Sequence, residues 1–486
     1  MVASFALLMC SRRPAHDRPL RIAIHSEPHS LDPHLQNETL TFGFLRNIFE
    51  GLTGFNGDMV LVPTLAESWD NPSDTVWRFH LRRDVRFHDG RPLTAQDVVF
   101  SLERARHPRA STNFGSYLVA VDTLRTIDPH TIEITTRQPY PILLNKLTFV
   151  LIVPDGSPDT IVEPIGTGPY RLTPRVPGQP LRLEAFKDYW GHSPAETPVD
   201  FAAVPDHAAR LRQLASGEID IAQDPTPAEA AELLRAQSKV RVLERDSLLV
   251  VYLQMHPGKP PFDDRRVREA VRLALDRQPI VERSLGGRGL VLAQMVGRNT
   301  FGYDESIRAP ARDLPRARAL LGEVGYPQGI DVELEFRAGR EATEIQRQLG
   351  EAGIRVRLVE RSWAEMFPRL LTRQVPFYLG ALLDPSADAS DFFDAVAHTR
   401  QAATGYGDNN TCDYSNPALD ILIESSGTTL DMRTRREMLS RAMRTALDDA
   451  IFVPLYSPSV LFAVRDYVVW KPRLDSLVLA ADIQRR

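Results

Sequence analysis

The segment at residues 77–104, WRFHLRRDVRFHDGRPLTAQDVVFSLER, constrains the fold of this chain more than any other. In residues 77–81, large apolar side chains alternate with polar ones, which is the period of a strand with one buried face. His-Asp-Gly at residues 88–90 then favours a turn. A helix is predicted directly afterwards, because Thr94 can accept the free backbone N–H groups of a first turn and Asp97 stands at its acidic third position.

This segment closely resembles a signature of the extracellular solute-binding proteins of family 5, the peptide- and nickel-binding receptors that serve ABC importers. Further segments resemble the family in the same order: SLDPH (30–34), FEGL (49–52), LAESWD (65–70), PIGTGPYRL (164–172), SGEIDI (216–221), PPFDDRRVREAVRLALDR (260–277), LLGEVGYPQG (320–329) and YSNPALDILI (414–423). Because these segments span nearly the whole chain, the protein is identified by resemblance as a member of this family.

The resemblance implies an α/β fold, namely a two-lobed periplasmic binding protein of type II (cluster C) with an extra domain inserted in the first lobe. A length of 486 residues agrees with about three domains of ~150 residues each. The expected parts are a signal segment and linker (1–17), a discontinuous first lobe (18–45, 166–255 and 453–486), the inserted domain (46–165) and the second lobe (256–452).

Charge and cysteine content narrow the class of protein. A formal net charge of -5, with basic and acidic residues interspersed, argues against a nucleic-acid partner. The two cysteines, Cys10 and Cys412, provide neither a disulfide framework nor a cysteine-rich metal site. The local signatures of serine hydrolases, zinc proteases and phosphate-binding loops are missing from the sequence. We therefore expect a protein without enzymatic activity and without a cofactor.

The N-terminal segment predicts export. The apolar run at residues 2–9 is too short to span a bilayer. Its last three residues together with Cys10 form LLMC, which resembles a lipoprotein cleavage box whose cysteine is acylated. Two features depart from that pattern, since Met9 is bulkier than the usual small residue and no basic residue precedes the run. With the family resemblance, we expect a periplasmic monomer with a candidate lipid anchor at Cys10.

An acidic loop within residues 378–393, YLGALLDPSADASDFF, supplies the main candidate ligand contacts. It occupies the place where peptide-binding relatives carry an acidic residue that pairs with the α-ammonium group of the peptide. Asp384 is the first choice for this role and Asp388 the second, because a desolvated ammonium group needs an ionic partner. The alternative is that both aspartates only cap the helix beginning near Phe392. Ala381 stands where many relatives have tryptophan, so one aromatic wall of the pocket is missing or replaced.

Other candidates come from segments that reach the lobe interface in relatives. Glu27 follows the first predicted strand, and Tyr252, Gln254 and His256 alternate on one strand face, where they could line the cleft. For Trp363, which shares a predicted helical face with Phe367, Leu370 and Leu371, core packing is favoured over ligand contact.

The best metal-like cluster consists of His25, His29 and His34, with Glu27 and Asp32 between them. Imidazole and carboxylate groups would suit nickel or zinc. The segment also contains two prolines and matches the family's loop after the first strand, so we predict no metal ligand.

The expected function is that of a substrate-binding protein, which closes two lobes over a peptide-like solute and delivers it to the permease subunits of an ABC importer. Binding shifts the open–closed equilibrium only by the difference in affinity between the two forms. One alternative is a receptor for a nickel chelate or haem on the same scaffold, and another is a signalling receptor or hydrolase that does not transport. The sequence leaves the solute open, because one scaffold can host many ligands.

Overall fold

The computed structural model describes residues 18–36, 38–107, 114–236, 239–337 and 339–486. Its strands are β1 (Leu20–Ile24), β2 (Thr53–Phe55), β3 (Leu61–Pro63), β4 (Ala66–Ser73), β5 (Val76–Leu81), β6 (Val121–Asp128), β7 (Thr131–Thr136), β8 (Tyr170–Leu172), β9 (Leu181–Ala185), β10 (Val199–Ala203), β11 (Ile221–Gln223), β12 (Val240–Asp246), β13 (Leu249–Met255), β14 (Gly289–Val291), β15 (Ile330–Phe336), β16 (Ile354–Glu360), β17 (Phe377–Leu383), β18 (Phe452–Arg465), β19 (Val468–Val469) and β20 (Gln484–Arg485).

The helices surround these strands. They are α1 (Thr39–Leu45), α2 (Ala95–Arg106), α3 (Leu143–Leu147), α4 (His207–Ser216), α5 (Pro227–Ala236), α6 (Arg265–Ala274), α7 (Arg277–Leu285), α8 (Leu314–Glu323), α9 (Glu341–Glu351), α10 (Trp363–Leu371), α11 (Ser390–Phe392, continued by a π-helical turn over Phe393–Ala397), α12 (Pro417–Thr428) and α13 (Met432–Asp448).

The segment at residues 77–104 forms the elements that its pattern predicts. In β5 the side chains of Trp77, Phe79 and Leu81 are buried and the alternate ones are partly exposed. Gly90 adopts a positive φ of 89° in the predicted turn, a conformation that glycine takes without strain. The backbone N–H of Thr94 donates to the Asp97 carboxylate at 2.8 Å, and α2 begins directly afterwards. The prediction of strand, turn and capped helix is therefore confirmed.

One sheet carries strands of both lobes. Among the described residues it has 12 strands, with the main order β16-β15-β17-β13-β18-β11-β1-β10-β9-β8, while β12 and β14 pair with β18. The first half of β18 pairs with β13, and its second half pairs with β11 and β12. We call the part that contains β1 and β8–β12 lobe I, and the part that contains β13–β17 and α6–α13 lobe II. This division places β13 in lobe II, because its side chains share a core with Phe377, whereas the division expected from the sequence has residues 249–255 in lobe I. The long strand β18 therefore belongs to both lobes.

The antiparallel sheet β4-β5-β7-β6 with α2 forms a separate layer, which we call the inserted domain. It has its own core, in which Phe79, Phe87 and Ile132 are completely buried. Lobe I and lobe II have further cores of their own, which contain Phe201 and Phe377 respectively. The described packing thus follows the two-lobed α/β architecture with an additional domain.

The two lobes are joined where β12 continues into β13 and where β18 crosses the boundary. At this crossing the Ser457 hydroxyl donates to the backbone carbonyl of Ser247 at 2.9 Å. Ser247 and Ser457 therefore lie where the chain passes from one lobe to the other.

The sequence interpretation of α10 is wrong in one respect. Trp363, Phe367 and Leu371 do share a face, but that face is exposed to solvent, whereas Met366 and Leu370 are buried. Helical period identifies the residues that share a face. It does not decide which of two apolar faces meets the core.

Candidate ligand-binding site

A cavity of about 190 Å³ lies between lobe I, the inserted domain and lobe II. Leu383 and Pro385 contribute the wall from lobe II. Aromatic rings form much of the opposite wall, where Tyr117 and Phe149 stack with their centroids 4.8 Å apart. Ligand pockets are typically apolar with a few polar groups that fix orientation, and this cavity has that character.

Asp384 stands between the two cavity-lining residues of lobe II, directly after β17. The residue is only 1% exposed. Its Oδ1 atom has one distant donor, the Ser386 hydroxyl at 3.5 Å, and no donor of the described residues reaches Oδ2. Burial, together with the neighbouring carboxyl groups of Asp391 and Asp388, raises the pKa of Asp384 well above its ordinary value. A buried carboxyl group in this condition suits an incoming cation.

Contacts from the inserted domain reach the same loop of lobe II. The Asn145 side-chain amide donates to the backbone carbonyl of Ser386 at 2.8 Å, and the neighbouring Lys146 ammonium pairs with Asp391. Although burial opposes its charge, Lys146 has a raised pKa because Asp391 lies beside it. These contacts hold α3 against lobe II, so the two sides of the cleft are closed at this edge.

Asp388, the second candidate, has a complete set of partners within lobe II. Arg435 donates to its two carboxylate oxygens at 2.6 and 2.7 Å. The hydroxyl and the backbone N–H of Ser390 donate to Oδ1 at 2.5 and 3.0 Å. This geometry agrees with the alternative of a local capping and pairing role. The ligand role of Asp388 stays a prediction, with less geometric support than that of Asp384.

Tyr252 and Gln254 on β13, and His256 directly after this strand, make their described contacts inside lobe II. Tyr252 packs against Phe452 with ring centroids 6.2 Å apart, and the Gln254 amide donates to the Thr411 hydroxyl at 2.9 Å. His256 accepts a hydrogen bond from the backbone N–H of Gly258 at 3.1 Å, and burial lowers its pKa. The structure does not bring these side chains together with Asp384, and their ligand roles stay predictions.

Glu27 lies on the surface of lobe I. Its carboxylate pairs with Arg175 at 2.5 Å, and both side chains are about half exposed. It is likewise not brought to the cavity that Leu383 and Pro385 line. Its ligand role also stays a prediction.

The histidine cluster near β1 is divided between the surface and the interior. His25 and His29 are exposed, whereas His34 is buried and accepts a hydrogen bond from Arg104 at 2.8 Å. The same guanidinium group pairs with Asp32 at 2.5 Å. Within the described parts of the chain, no group of three or more His, Cys, Asp or Glu side chains is arranged to hold a metal ion.

Sequence reasoning missed Arg46, which follows α1 and lines the cavity. Its guanidinium group donates to the backbone carbonyl of Thr148 at 3.1 Å. One sequence signal could have drawn notice to it, since an arginine directly follows the apolar helix TLTFGFL. That signal alone does not distinguish a cavity residue from a solvated helix end.

Comparison with known proteins agrees with this architecture. The Escherichia coli K12 protein named "Dipeptide-binding protein" is 27% identical over 451 residues, which cover 85% of this chain and 84% of that protein. The solved structure of HbpA2 from Haemophilus parasuis aligns with a TM-score of 0.85 at 24% identity, covering 96% of this chain and all of that one (100%). DppA from Helicobacter pylori, solved in complex with peptide STSA, aligns with a TM-score of 0.78 at 23% identity over 96% of this chain and 98% of that one.

These likenesses confirm the fold class expected from the sequence. No helix of the described chain is both long and apolar enough to cross a membrane. The family model "Bacterial extracellular solute-binding proteins, family 5 Middle" matches residues 60–404, which is most of the chain. The chain belongs to the bacterial extracellular solute-binding proteins of family 5.

Proposed function

We propose that this protein binds a short peptide between its lobes and delivers it to the permease subunits of an ABC importer. The observation that carries the proposal is the carboxyl group of Asp384, which is buried beside the interlobe cavity and lacks a donor to Oδ2 among the described residues. The E. coli relative named as a dipeptide-binding protein supports the same class of solute.

The chemistry of Asp384 fits an ammonium partner. In the ligand-free protein its raised pKa favours the protonated form, and Asp391 lies close enough to share that proton. A peptide ammonium group would take the place of the proton, because a cation stabilises the carboxylate that burial otherwise disfavours. A hydrogen bond to a charged group contributes about 1.5–3 kcal/mol, so this contact should strengthen binding roughly 10- to 150-fold.

The position of Asp384 couples binding to closure. It belongs to lobe II, whereas Tyr117 and Phe149 in the opposite wall precede lobe II in the chain and lie across the cleft. A solute that contacts both walls makes all its contacts only when the lobes are shut. Binding therefore favours the closed form by the free energy of the contacts that the open form lacks.

The size of the cavity favours a small solute. Its volume of about 190 Å³ is below the ~300–1,000 Å³ of pockets that hold drug-sized ligands. A dipeptide is closer to this volume than haem or a long peptide. No described contact favours a nickel chelate or haem over a short peptide as the solute. None favours a signalling or hydrolytic role over transport.

The proposal includes a periplasmic location and a monomeric protein, as in the expectation from the sequence. Cys10 remains the candidate lipid anchor and lies outside the described residues. Radiolabelled palmitate incorporated into the wild type but not into a Cys10→Ala variant would support anchoring, and equal labelling of the two would contradict it.

Two measurements test the proposed function. Protein purified from its native compartment should release a short peptide on denaturation, identified by mass spectrometry. A panel of alanyl dipeptides should include members that raise the melting temperature of the purified protein, and none should be hydrolysed during the assay. Stabilisation by haem or nickel alone, release of either, or turnover of the dipeptides would contradict the proposal.

A further inference from the structure

A second cavity lies within lobe II, away from the cleft. Its volume is also about 190 Å³, and α6, the start of α7, the loop after β14, the end of α13 and the first half of β18 surround it. No residue lines both this cavity and the interlobe cavity. Besides apolar side chains, its wall carries Arg272, Arg277, Arg308 and Arg444. We call it the arginine cavity.

Arg277 is the buried member of this group, with only 5% of the residue exposed. Its Nε atom donates to the backbone carbonyl of Pro454 at 2.8 Å. The two terminal nitrogens have no hydrogen-bond partner among the described residues, yet they are not sealed off from solvent. Because Arg277 lines the cavity, these donors are available to a molecule inside it.

The surroundings of Arg277 favour an anion. Burial, and then the nearby charge of Arg272, lower the pKa of Arg277 to about 10, which leaves it charged at neutral pH. The carboxylate of Asp276 acts in the opposite direction, but its effect is the smallest of the three. A buried charge is costly unless it is paired. An anion in the cavity would therefore be stabilised by a cation that the fold leaves without an ion pair.

The other charges of the wall do not cancel that of Arg277. Arg272 and Arg444 are paired with carboxylates of lobe II at 2.8 and 2.6 Å. Arg308 is exposed and donates to backbone carbonyls only. Asp448, which is exposed, is the one carboxylate among the described residues of the wall. The two arginines without an ion pair thus outnumber this carboxylate, and the wall is positive.

We propose that the arginine cavity binds a phosphate group, either as free phosphate or as the headgroup of a phosphomonoester lipid. Guanidinium groups match phosphate oxygens bidentately, and several of them converge on this one small cavity. A phosphomonoester carries about two negative charges at neutral pH, so it balances the excess charge better than a carboxylate does. The site is independent of the peptide site proposed above, since the two cavities share no lining residue.

Calorimetry with inorganic phosphate tests the inference. Phosphate is titrated into the protein in a chloride buffer of constant ionic strength, and the wild type should show saturable one-to-one binding. In Arg277→Met the affinity should fall about 10-fold or more, because hydrogen bonds between charged groups are lost. In Arg308→Met it should fall about 3-fold, the effect of an exposed charge. Arg433→Met, which removes a charge from a side chain of lobe II that is 89% exposed, should bind like the wild type.

Vesicles distinguish the two sources of phosphate. Equal parts of phosphatidic acid and phosphatidylcholine are compared with phosphatidylcholine alone in a sedimentation assay. If the wild type sediments with the acidic vesicles, and both free phosphate and Arg308→Met reduce this, the ligand is a lipid headgroup. Saturable phosphate binding without sedimentation identifies free phosphate instead.

Two results would overturn the inference. The first is a wild-type protein that neither binds phosphate saturably nor sediments with acidic vesicles. The second is binding by Arg308→Met, and by Arg277→Met where it folds, that equals binding by the wild type. Arg308 is exposed, so its substitution keeps the test decisive even where Arg277→Met does not fold. Either result would leave the proposed peptide binding untouched.

Discussion

The buried ion pair between Asp388 and Arg435 predicts a large loss of stability in Asp388→Asn. Arg435 is completely buried, and Asp388 receives hydrogen bonds from both of its terminal nitrogens. Removing one partner of a buried pair costs about 3–5 kcal/mol, because the other charge stays buried without compensation. Asparagine keeps one oxygen that can accept from Ser390, so we expect a loss near the lower bound, about 3 kcal/mol.

The assay is urea denaturation of the ligand-free protein, followed by circular dichroism. A double variant, Asp388→Leu with Arg435→Met, should recover much of the lost stability, since replacing both charges by apolar groups is often neutral. A change of less than about 0.5 kcal/mol in Asp388→Asn, the usual size for a surface substitution, would refute the reasoning. Loss of dipeptide affinity at unchanged stability would instead identify Asp388 as a ligand contact.

Three further predictions concern charge at other sites. Burial lowers the pKa of His88 to about 4, so the contribution of the neutral imidazole to stability is present above the ordinary pKa of 6.5 and is lost as the pH falls through 4. Over this pH range the free energy of unfolding should drop by about 3 kcal/mol more in the wild type than in His88→Gln. Parallel pH curves for the two proteins would contradict this prediction. The raised pKa of Asp384 makes its ionisation in the ligand-free fold unfavourable. In thermal melts, Asp384→Asn should therefore be more stable than the wild type at pH 7 and equally stable near pH 3. A variant less stable than the wild type at pH 7 would argue against this. Lys146→Met removes the cation that pairs with Asp391 across the cleft. The ligand-free variant should therefore show a larger radius of gyration than the wild type by small-angle X-ray scattering. An unchanged radius would show that the pair does not hold the lobes closed.

Local elements of the fold could be predicted because their determinants are close in sequence. The cap of α2 depends on Thr94 and Asp97, which are three residues apart, and β5 depends on simple alternation. The family resemblance located Asp384, but its missing donor became visible only when residues of lobe II were placed beside the inserted domain.

The cavity wall could not be predicted from local patterns. It joins Phe42, Phe149, Leu383 and Arg473, which are separated by hundreds of residues. The same limit explains the weaker candidates, because Tyr252 stands on a strand whose alternation does not reveal which face meets the cleft. Fold and family thus follow from sequence, whereas the choice among polar residues needs the tertiary contacts.

The central claim is that Asp384 binds the ammonium group of the solute, and a calorimetric comparison tests it most directly. The stabilising dipeptide and its N-acetylated form are titrated into the wild type, Asp384→Asn and the control Asp331→Asn, whose carboxylate is exposed on β15. The account predicts that the wild type and the control prefer the free amine by roughly 10- to 150-fold, and that Asp384→Asn reduces this preference to less than about 3-fold. A wild-type preference retained in Asp384→Asn would contradict the account.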